Sequence, residues 1–277
     1  KMANLQTGEV DIVDSVPPKD HAMVKANPQF GYWEAQGTRW PMIRLNVAKE
    51  PFTNKAARQA VAYAINRDEI IKAVYFGAAI PAFGPISPIY KSYYDPAVEQ
   101  YGFSHDISKA RAKLAEAGLD RLAFTLEISN NPTQQRMAEI IKRQLSEAGI
   151  DMDIQVYEST AFQDRITNKQ YQAVLGSWTP RPDIDGTMYR HFASDGNVNS
   201  MSYSNPQVDD LLKRTRVLPA GPERVQAYRD VQKLIVDDCP WVFLVFETQL
   251  VAWQKRVTNL PHIPDMMLRL ERVQVED

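Results

Sequence analysis

The 277-residue sequence has few of the residues and runs that mark disulfide-bonded, metal-binding or membrane-spanning proteins. Its single cysteine, Cys239, excludes an internal disulfide and a multi-cysteine metal site, and its position after a predicted helix favours a small buried residue over a nucleophile. The longest apolar runs, such as residues 241–246, are too short to span a bilayer. No signal peptide is recognisable at Lys1, so an exported protein would have lost its leader.

The sequence also lacks an excess of either charge and lacks catalytic fingerprints. Its 32 Lys and Arg against 34 Asp and Glu leave a net charge of −2, which gives no reason to expect nucleic acid or an anionic membrane as a partner. The 4 histidines are scattered without metal-ligand spacing, and no G-x-S-x-G, H-E-x-x-H, Walker or dinucleotide motif occurs. We therefore predict a protein that is not an enzyme and that holds no cofactor and no metal.

What the sequence does contain is a clear helix pair within residues 51–76. Asn54 is a good N-cap, and apolar residues at helical spacing follow it. Asn66 followed three residues later by Glu69 has the form of a capping box, so a second helix is predicted to start there and to end at Gly77. The pattern predicts two short helices joined by a sharp break.

A regular alternation of strand and helix follows in residues 124–177. Strands are predicted at 124–128, 152–157 and 171–177, with helices at 133–148 and 160–168 between them. Right-handed crossovers of this kind give parallel strands covered by helices. The sequence therefore predicts an open α/β layer.

The two ends of the chain are predicted to come together. Strands are expected at 32–36, 40–47, 241–253 and 267–275, and the last two are expected to return and pair with strands in residues 1–47. The chain would then cross between two lobes near Asn46 and near Trp241. This predicts one lobe built from residues 46–241 and another shared by residues 1–45 and 242–277.

Several motifs resemble one known family. Asn46, Pro51–Phe52, Arg58–Ala60 and Ala62–Asn66 match the N-x-x-x-x-PF-x-x-x-x-x-RQA-x-AYAIN signature of the family 5 extracellular solute-binding proteins, the dipeptide, oligopeptide and nickel receptors of ABC importers. L-x-x-GEVDI at residues 5–12, GPI-x-P at 84–88, LAEAGL at 114–119 and YSNP-x-VD-x-LL at 203–212 are similar to further family segments. Arg58 by itself decides nothing, because a lone helical arginine is usually a solvated surface group.

The resemblance implies a fold, a function and a location. The fold would be α/β and periplasmic-binding-protein-like, in the two-lobe arrangement of class II, cluster C. The function would be to deliver a small-molecule or short-peptide ligand, or a carboxylate-bearing organic solute, to the permease of an ABC importer. The location would be the periplasm, or the outer surface of a Gram-positive cell by a lipid anchor.

The resemblance also implies an incomplete binding unit. The GEVDI segment lies in the middle of the family pattern, so a missing N-terminal half or a second chain would have to complete the terminal lobe. We therefore expect exposed apolar surface near Trp33, Trp40 and Phe243, and such patches favour association.

The candidate ligand site is the run WTPRPDID, which follows the third predicted parallel strand. Ligands of open α/β sheets collect beyond the carboxyl ends of the strands, and prolines in this loop would hold its side chains in place before binding. Trp178, Arg181, Asp183 and Asp185 are the residues expected to contact the ligand. We predict that Arg181 receives a carboxylate and that Asp183 or Asp185 orients it.

The same loop resembles the family's W-x-x-x-x-DPD ligand loop, with one departure. Peptide-binding members carry an acidic residue soon after the tryptophan, whereas this sequence has Thr179, Pro180 and Arg181. A free amino terminus is therefore not the expected recognised group. A subset of the family has W-x-x-R-x-DPDG, which this loop fits except for Ile184 in place of proline.

Other residues are weaker candidates. Trp40 and Phe83 could supply flat apolar walls, and Trp33, Arg39 and His191 could also face a ligand, although core packing or solvation explains each of them equally well or better. Three alternatives stay open at this point. Arg181 and Asp183 could form a simple surface pair, the chain could be the ligand-sensing domain of a transcription regulator, or Asp183 and Asp185 could serve a hydrolase.

Overall fold

The computed structural model describes residues 1–179, 181, 183–262 and 267–276, and within them one mixed sheet carries most of the strands. The strands are β1 (Ile12–Val13), β2 (Phe30–Leu45), β3 (Ala79–Pro81), β4 (Leu122–Ser129), β5 (Ile150–Tyr157), β6 (Ala173–Trp178), β7 (Trp241–Phe243), β8 (Val245–Gln254), β9 (Val257–Thr258) and β10 (Gln274–Val275). The helices are α1 (Met2–Thr7), α2 (His21–Ala26), α3 (Lys55–Tyr63), α4 (Arg67–Tyr75), α5 (Val98–Tyr101), α6 (Ile107–Glu116), α7 (Pro132–Glu147), α8 (Ser159–Thr167), α9 (Asp185–Phe192), α10 (Pro206–Val217) and α11 (Pro222–Asp238). Two 3-10 turns occupy Pro18–Asp20 and Pro88–Tyr90.

The long strand β2 connects the two halves of the sheet, whose order is β1-β8-β2-β6-β4-β5. Residues 30–36 pair with β8, and residues 40–45 pair with β6 and partly with β7, with a register shift between Gln36 and Arg39. The prediction of two separate strands here is wrong, because the backbone passes the shift without leaving the sheet. A β-bulge of this kind bends a strand without ending it.

The parallel layer is confirmed. Strand β4 lies between β5 and β6 and is parallel to both, and α7 and α8 are the connecting helices. Helix α7 begins at the N-cap Asn131, whose side chain accepts hydrogen bonds from two backbone amides, and it buries Met137, Ile141 and Leu145. This places the carboxyl ends of the three strands at one edge, where the connecting loops gather.

The helix pair α3 and α4 is also confirmed. The side chain of Asn54 accepts hydrogen bonds from two amides of α3, and Asn66 accepts one from the amide of Glu69. Arg58, which is a surface group in most helices, is buried here and donates hydrogen bonds to the backbone carbonyls of Asp238 and Phe52. Helix α3 is therefore attached to the end of α11.

The expectation that residues 267–275 return to the main sheet is wrong. Of residues 267–275, only β10 is a strand, and it pairs with β9 outside the main sheet. Met267, Leu270 and Val275 do not face the core, since they are 59%, 54% and 54% exposed. Strand β8 takes the predicted place beside β2.

The expected apolar patch is absent at the residues named for it. Trp33, Trp40 and Phe243 are only 8%, 0% and 3% exposed. They lie on β2 and β7, which pair with each other and with other strands, and Trp33 also stacks on His262 with 4.5 Å between ring centroids. Cys239 is fully buried as predicted, and burial raises the pKa of its thiol to about 12.

No helix in the described part of the chain combines the length and apolar character that a membrane crossing requires.

Candidate functional site

A cavity of about 600 Å³ opens where β4 and β6 end. Ser129 marks the end of β4 and Trp178 the end of β6, and both line the cavity. Helix α8 and residues 196–200 form further walls. The cavity thus lies beyond the carboxyl ends of parallel strands, where open α/β sheets bind their ligands.

The charged side chains that line the cavity are positive. Arg39, Arg44 and Lys169 contribute to the wall, and no aspartate or glutamate is found among the described residues that line it. The remaining polar groups are serine, threonine, asparagine and glutamine side chains, together with His191. A site with this composition suits a ligand with negative charge and several hydrogen-bonding atoms.

Arg44 reaches the cavity from β2 and is only 8% exposed. Its Nη1 lies 3.4 Å from Ser200 Oγ, and its guanidinium carbon lies 5.4 Å from the centre of the Trp241 ring. Its Nε is buried and has no hydrogen-bond partner in the described structure. Burial lowers the pKa of Arg44, because removing the guanidinium from water disfavours its charged form.

His191 lies beside it on α9 and is fully buried. Its ring packs edge-on against Trp178 and Trp241, with centroids 4.4 and 4.8 Å away. Neither ring nitrogen makes a hydrogen bond of ordinary geometry, although the backbone of Val198 interacts with the ring and favours its charged form. Burial, and then the positive charges of Arg44 and Arg190, hold its pKa well below the ordinary value. His191 is therefore neutral near pH 7, with one N–H to donate and one nitrogen that can accept.

Of the six residues predicted to contact ligand, only Trp178 lines this cavity. It is half-buried, and its indole Nε1 donates to Thr187 Oγ1 at 3.2 Å. Arg181 is exposed, and its backbone carbonyl accepts a 2.6 Å hydrogen bond from the hydroxyl of Tyr90. Asp183 is also exposed, and its carboxylate accepts from the amide of Asp185 at 3.2 Å.

The other three predicted residues lie in different surroundings. Asp185 begins α9 and lies 3.4 Å from Arg216 Nε, while burial raises the pKa of its carboxyl. Trp40 is fully buried and packs edge-on against Phe246. The guanidinium of Arg67 lies over the ring of Phe83, with 4.9 Å between Arg67 Cζ and the ring centre.

Pro180 and Pro182, to which the sequence attributes the rigidity of the loop, lie outside the described residues. Arg181 and Asp183 form no ion pair with each other in the described structure, where Asp185 is the loop carboxylate that meets an arginine. In the described part of the chain, no group of three or more His, Cys, Asp or Glu side chains could hold a metal ion.

Sequence reasoning missed Arg44, although one signal was present. Arg44 stands in the apolar strand run PMIRLNV, where a lone charged residue is uncommon unless it is paired or faces a site. Without knowledge of the neighbouring strand, that signal could not show which face of the sheet Arg44 occupies.

Comparisons with known proteins agree with the motifs. The family model described as "Bacterial extracellular solute-binding proteins, family 5 Middle" matches residues 1–200. The dipeptide-binding protein of Escherichia coli (strain K12) is 29% identical over 286 residues, an alignment that covers 100% of this chain and 53% of that protein. The chain therefore spans about half the length of this relative.

Solved structures show the same fold. The PBP AgaA from A. tumefaciens R10, in complex with agropinic acid, is 26% identical with a TM-score of 0.88, over 100% of this chain and 58% of AgaA. The ABC transporter-associated periplasmic binding protein DppA from Helicobacter pylori, in complex with the peptide STSA, is 24% identical with a TM-score of 0.85, over 100% of this chain and 55% of that one. The predicted α/β, periplasmic-binding-protein-like fold is confirmed.

Proposed function

The chain belongs to the family 5 bacterial extracellular solute-binding proteins, and on that basis we propose that it binds a small solute for delivery to the permease of an ABC importer. It would work outside the cytoplasmic membrane, in the periplasm or on a lipid anchor. The family match supports this receptor and gives no support to a transcription regulator or to a hydrolase that uses Asp183 and Asp185.

The proposed ligand carries a carboxylate. The observation that supports this most directly is the cavity wall with Arg39, Arg44 and Lys169 and without any described carboxylate. Its volume of about 600 Å³ suits a small organic acid or a short peptide. Trp178 offers a flat apolar wall, and the relative AgaA is described with agropinic acid bound.

Arg181 remains a proposed ligand contact outside the cavity wall. It follows Trp178 by three residues and its side chain is exposed, so a ligand that extends out of the cavity could meet it. A carboxylate and a guanidinium can form two parallel charge-assisted hydrogen bonds, and each such bond contributes about 1.5–3 kcal/mol.

The first test identifies the ligand. Native mass spectrometry of the full-length protein should reveal a co-purifying molecule with at least one carboxylate, and calorimetry should show that this molecule, or agropinic acid, binds without being chemically changed. Arg181→Ala should weaken binding at least about tenfold and leave the melting temperature nearly unchanged. Equal affinity of Arg181→Ala and wild type would remove Arg181 from the site.

Two other outcomes would contradict the proposal that the ligand carries a carboxylate. If the bound molecule has no acidic group, or if the protein converts the molecule into a product, the proposed acid-binding receptor is wrong.

A further inference from the structure

Three arginines in the described part of the chain are buried, and they differ in how their N–H donors are used. Arg58 and Arg67 are 6% and 5% exposed, and each donates four hydrogen bonds to backbone carbonyls, at 2.6–3.3 Å and 2.6–3.4 Å. Arg44 is buried to a similar degree, yet its one hydrogen bond to a described residue is the 3.4 Å contact with Ser200. The protein backbone thus binds the donors of Arg58 and Arg67, whereas most donors of Arg44 have no described acceptor.

The charge of Arg44 is also uncompensated. No described carboxylate forms an ion pair with it, and the one nearby group that favours its charged form is the hydroxyl of Tyr171, whose own pKa is raised by burial. A buried cation without a counter-ion destabilises a folded protein. The described partners of Arg44 are therefore the hydroxyl of Ser200 and the ring of Trp241, and neither carries the negative charge that would compensate a buried guanidinium.

A glycine leaves room for the guanidinium of Arg44. Gly176 on β6 lies beneath it, and a Cβ at that position would come within 3.1 Å of Arg44 Nε and 3.4 Å of its Cζ. The edge formed by Nε and Nη2 passes over this glycine, and both residues line the cavity. Nη1 is the nitrogen that meets Ser200, and Nε, which is buried, has no hydrogen-bond partner in the described structure.

A second unused donor lines the same cavity. His191 is fully buried and packs edge-on against Trp178 and Trp241, and neither ring nitrogen makes a hydrogen bond of ordinary geometry, since only the backbone of Val198 interacts with the ring. An imidazole in this position would gain a hydrogen bond from any ligand that fills the space beside Arg44.

We propose that Arg44 and His191 form the seat of the ligand's carboxylate at the inner wall of the cavity. The carboxylate accepts two parallel hydrogen bonds from Nε and Nη2 of Arg44 and one from the N–H of His191, and in doing so it supplies the counter-ion that Arg44 lacks. This inference rests on the proposed function, since it names the part of that site where the acid group binds.

Acetate tests the seat without knowledge of the natural ligand. In the full-length protein with labelled histidine, the imidazole signals of His191, assigned with His191→Gln, should shift saturably with acetate and not with the neutral analogue acetamide. Arg44→Met should abolish the response, and Gly176→Ala, which keeps the charge but crowds the guanidinium, should weaken it. Arg136→Met, on the exposed face of α7, should respond like wild type.

Each contrary result has a definite meaning. An unchanged response in Arg44→Met, or no response in wild type, overturns the seat, and if calorimetry still shows an acid bound, the proposed function stands without it. A saturable response to inorganic phosphate that matches or exceeds the one to acetate overturns the choice of carboxylate.

Thermal unfolding of the ligand-free protein separates a binding role from a structural one. Arg44→Met removes an uncompensated buried charge, so its melting temperature should stay level or rise by about 2–4 °C. Arg58→Met leaves carbonyls unsatisfied and should lower the melting temperature. A drop in Arg44→Met as large as that in Arg58→Met, or failure of Arg44→Met to fold, would make Arg44 a structural residue and overturn the proposal.

Discussion

His191 lies at the inner wall of the cavity with no solvent exposure, and its surroundings oppose protonation. Burial is the largest cause, and the positive charges of Arg44 and Arg190 add to it, so the pKa of the native imidazole is well below the usual value of 6.5. In the unfolded chain the same ring is solvated and returns to a pKa of about 6.5. Between the lowered native pKa and about 6.5, the unfolded state therefore binds a proton at His191 and the native state does not.

This difference predicts how stability depends on pH. As the pH falls below about 6.5, the unfolded state gains a proton at His191 and the native state does not, so the free energy of unfolding should fall by up to about 1.4 kcal/mol per pH unit from this residue. The loss should continue until the pH reaches the lowered native pKa. Urea unfolding between pH 7 and pH 5 should show a shallower loss in His191→Gln than in wild type.

The exposed His105 supplies the matched control. His105→Gln should keep the pH dependence of the wild type. If His191→Gln and His105→Gln give the same slope as wild type, His191 does not act on folding in this way.

At the scale of elements, helix α4 is capped by a residue from another helix. The amide of Glu69 binds the side chain of Asn66 at 3.1 Å, as the capping box predicts. The reciprocal bond comes from Gln144 of α7, whose Oε1 accepts from the amide of Asn66 at 3.1 Å and whose Nε2 donates to the carbonyl of Asn66 at 3.1 Å. The carboxylate of Glu69 pairs with Arg143 and also accepts a 2.8 Å hydrogen bond from Nε2 of Gln144.

Gln144 should therefore contribute more to stability than Glu69. Gln144 is 2% exposed, so Gln144→Leu leaves the part-buried amide of Asn66 without its partner, removes one of two bonds to the Asn66 carbonyl, and should lower the free energy of unfolding by about 1–3 kcal/mol. Glu69→Gln removes the partly exposed ion pair with Arg143 but keeps an oxygen that can accept from Gln144, so it should change the free energy of unfolding by less than about 1 kcal/mol. Urea unfolding of the two variants measures both values, and a larger loss in Glu69→Gln would contradict this assignment of the cap.

At the scale of the whole molecule, the bulge in β2 is the joint between the two halves of the sheet. Gly37 within it has φ +78°, and its carbonyl accepts a 2.8 Å hydrogen bond from Ser87 Oγ. On the return path the chain passes from β7 to β8 at Leu244. We propose that two lobes meet at this pair of crossings, near Gly37 and Leu244 where the sequence predicts them near Asn46 and Trp241, and that they close on the ligand there.

The joint should be intolerant of any side chain at Gly37. A Cβ there would lie 2.1 Å from the buried Ser87 Oγ, whereas a Cβ at Gly77, with φ +84°, would have nothing within 4 Å. Both alanine variants incur the strain of positive φ, about 1–2 kcal/mol. Gly37→Ala should lose a further 1–3 kcal/mol or so from the collision.

Denaturant unfolding of both variants, and of Gly37→Ala combined with Ser87→Ala, checks this. The double variant should recover part of the loss, because it removes the oxygen that the new methyl group meets. Equal stability of Gly37→Ala and Gly77→Ala would show that the joint tolerates the added carbon.

The sequence by itself determined the features that depend on neighbouring residues. The caps at Asn54 and Asn66 and the strand and helix alternation predicted in residues 124–177 are confirmed, because a side chain that bonds amides two or three residues away needs no distant partner. The motifs likewise indicated the family, because they are runs of adjacent residues.

Tertiary structure alone decided which residues share the cavity. Arg44, His191 and Ser200 are far apart in the chain and meet because β2 pairs antiparallel with β6 while α9 and residues 196–200 pack over that pair. It also decided that residues 267–275 stay outside the main sheet, since β8 already occupies the place beside β2. Both outcomes depend on strand pairing across long sequence separations, and the side-chain alternation that reveals a strand carries no information about its partner.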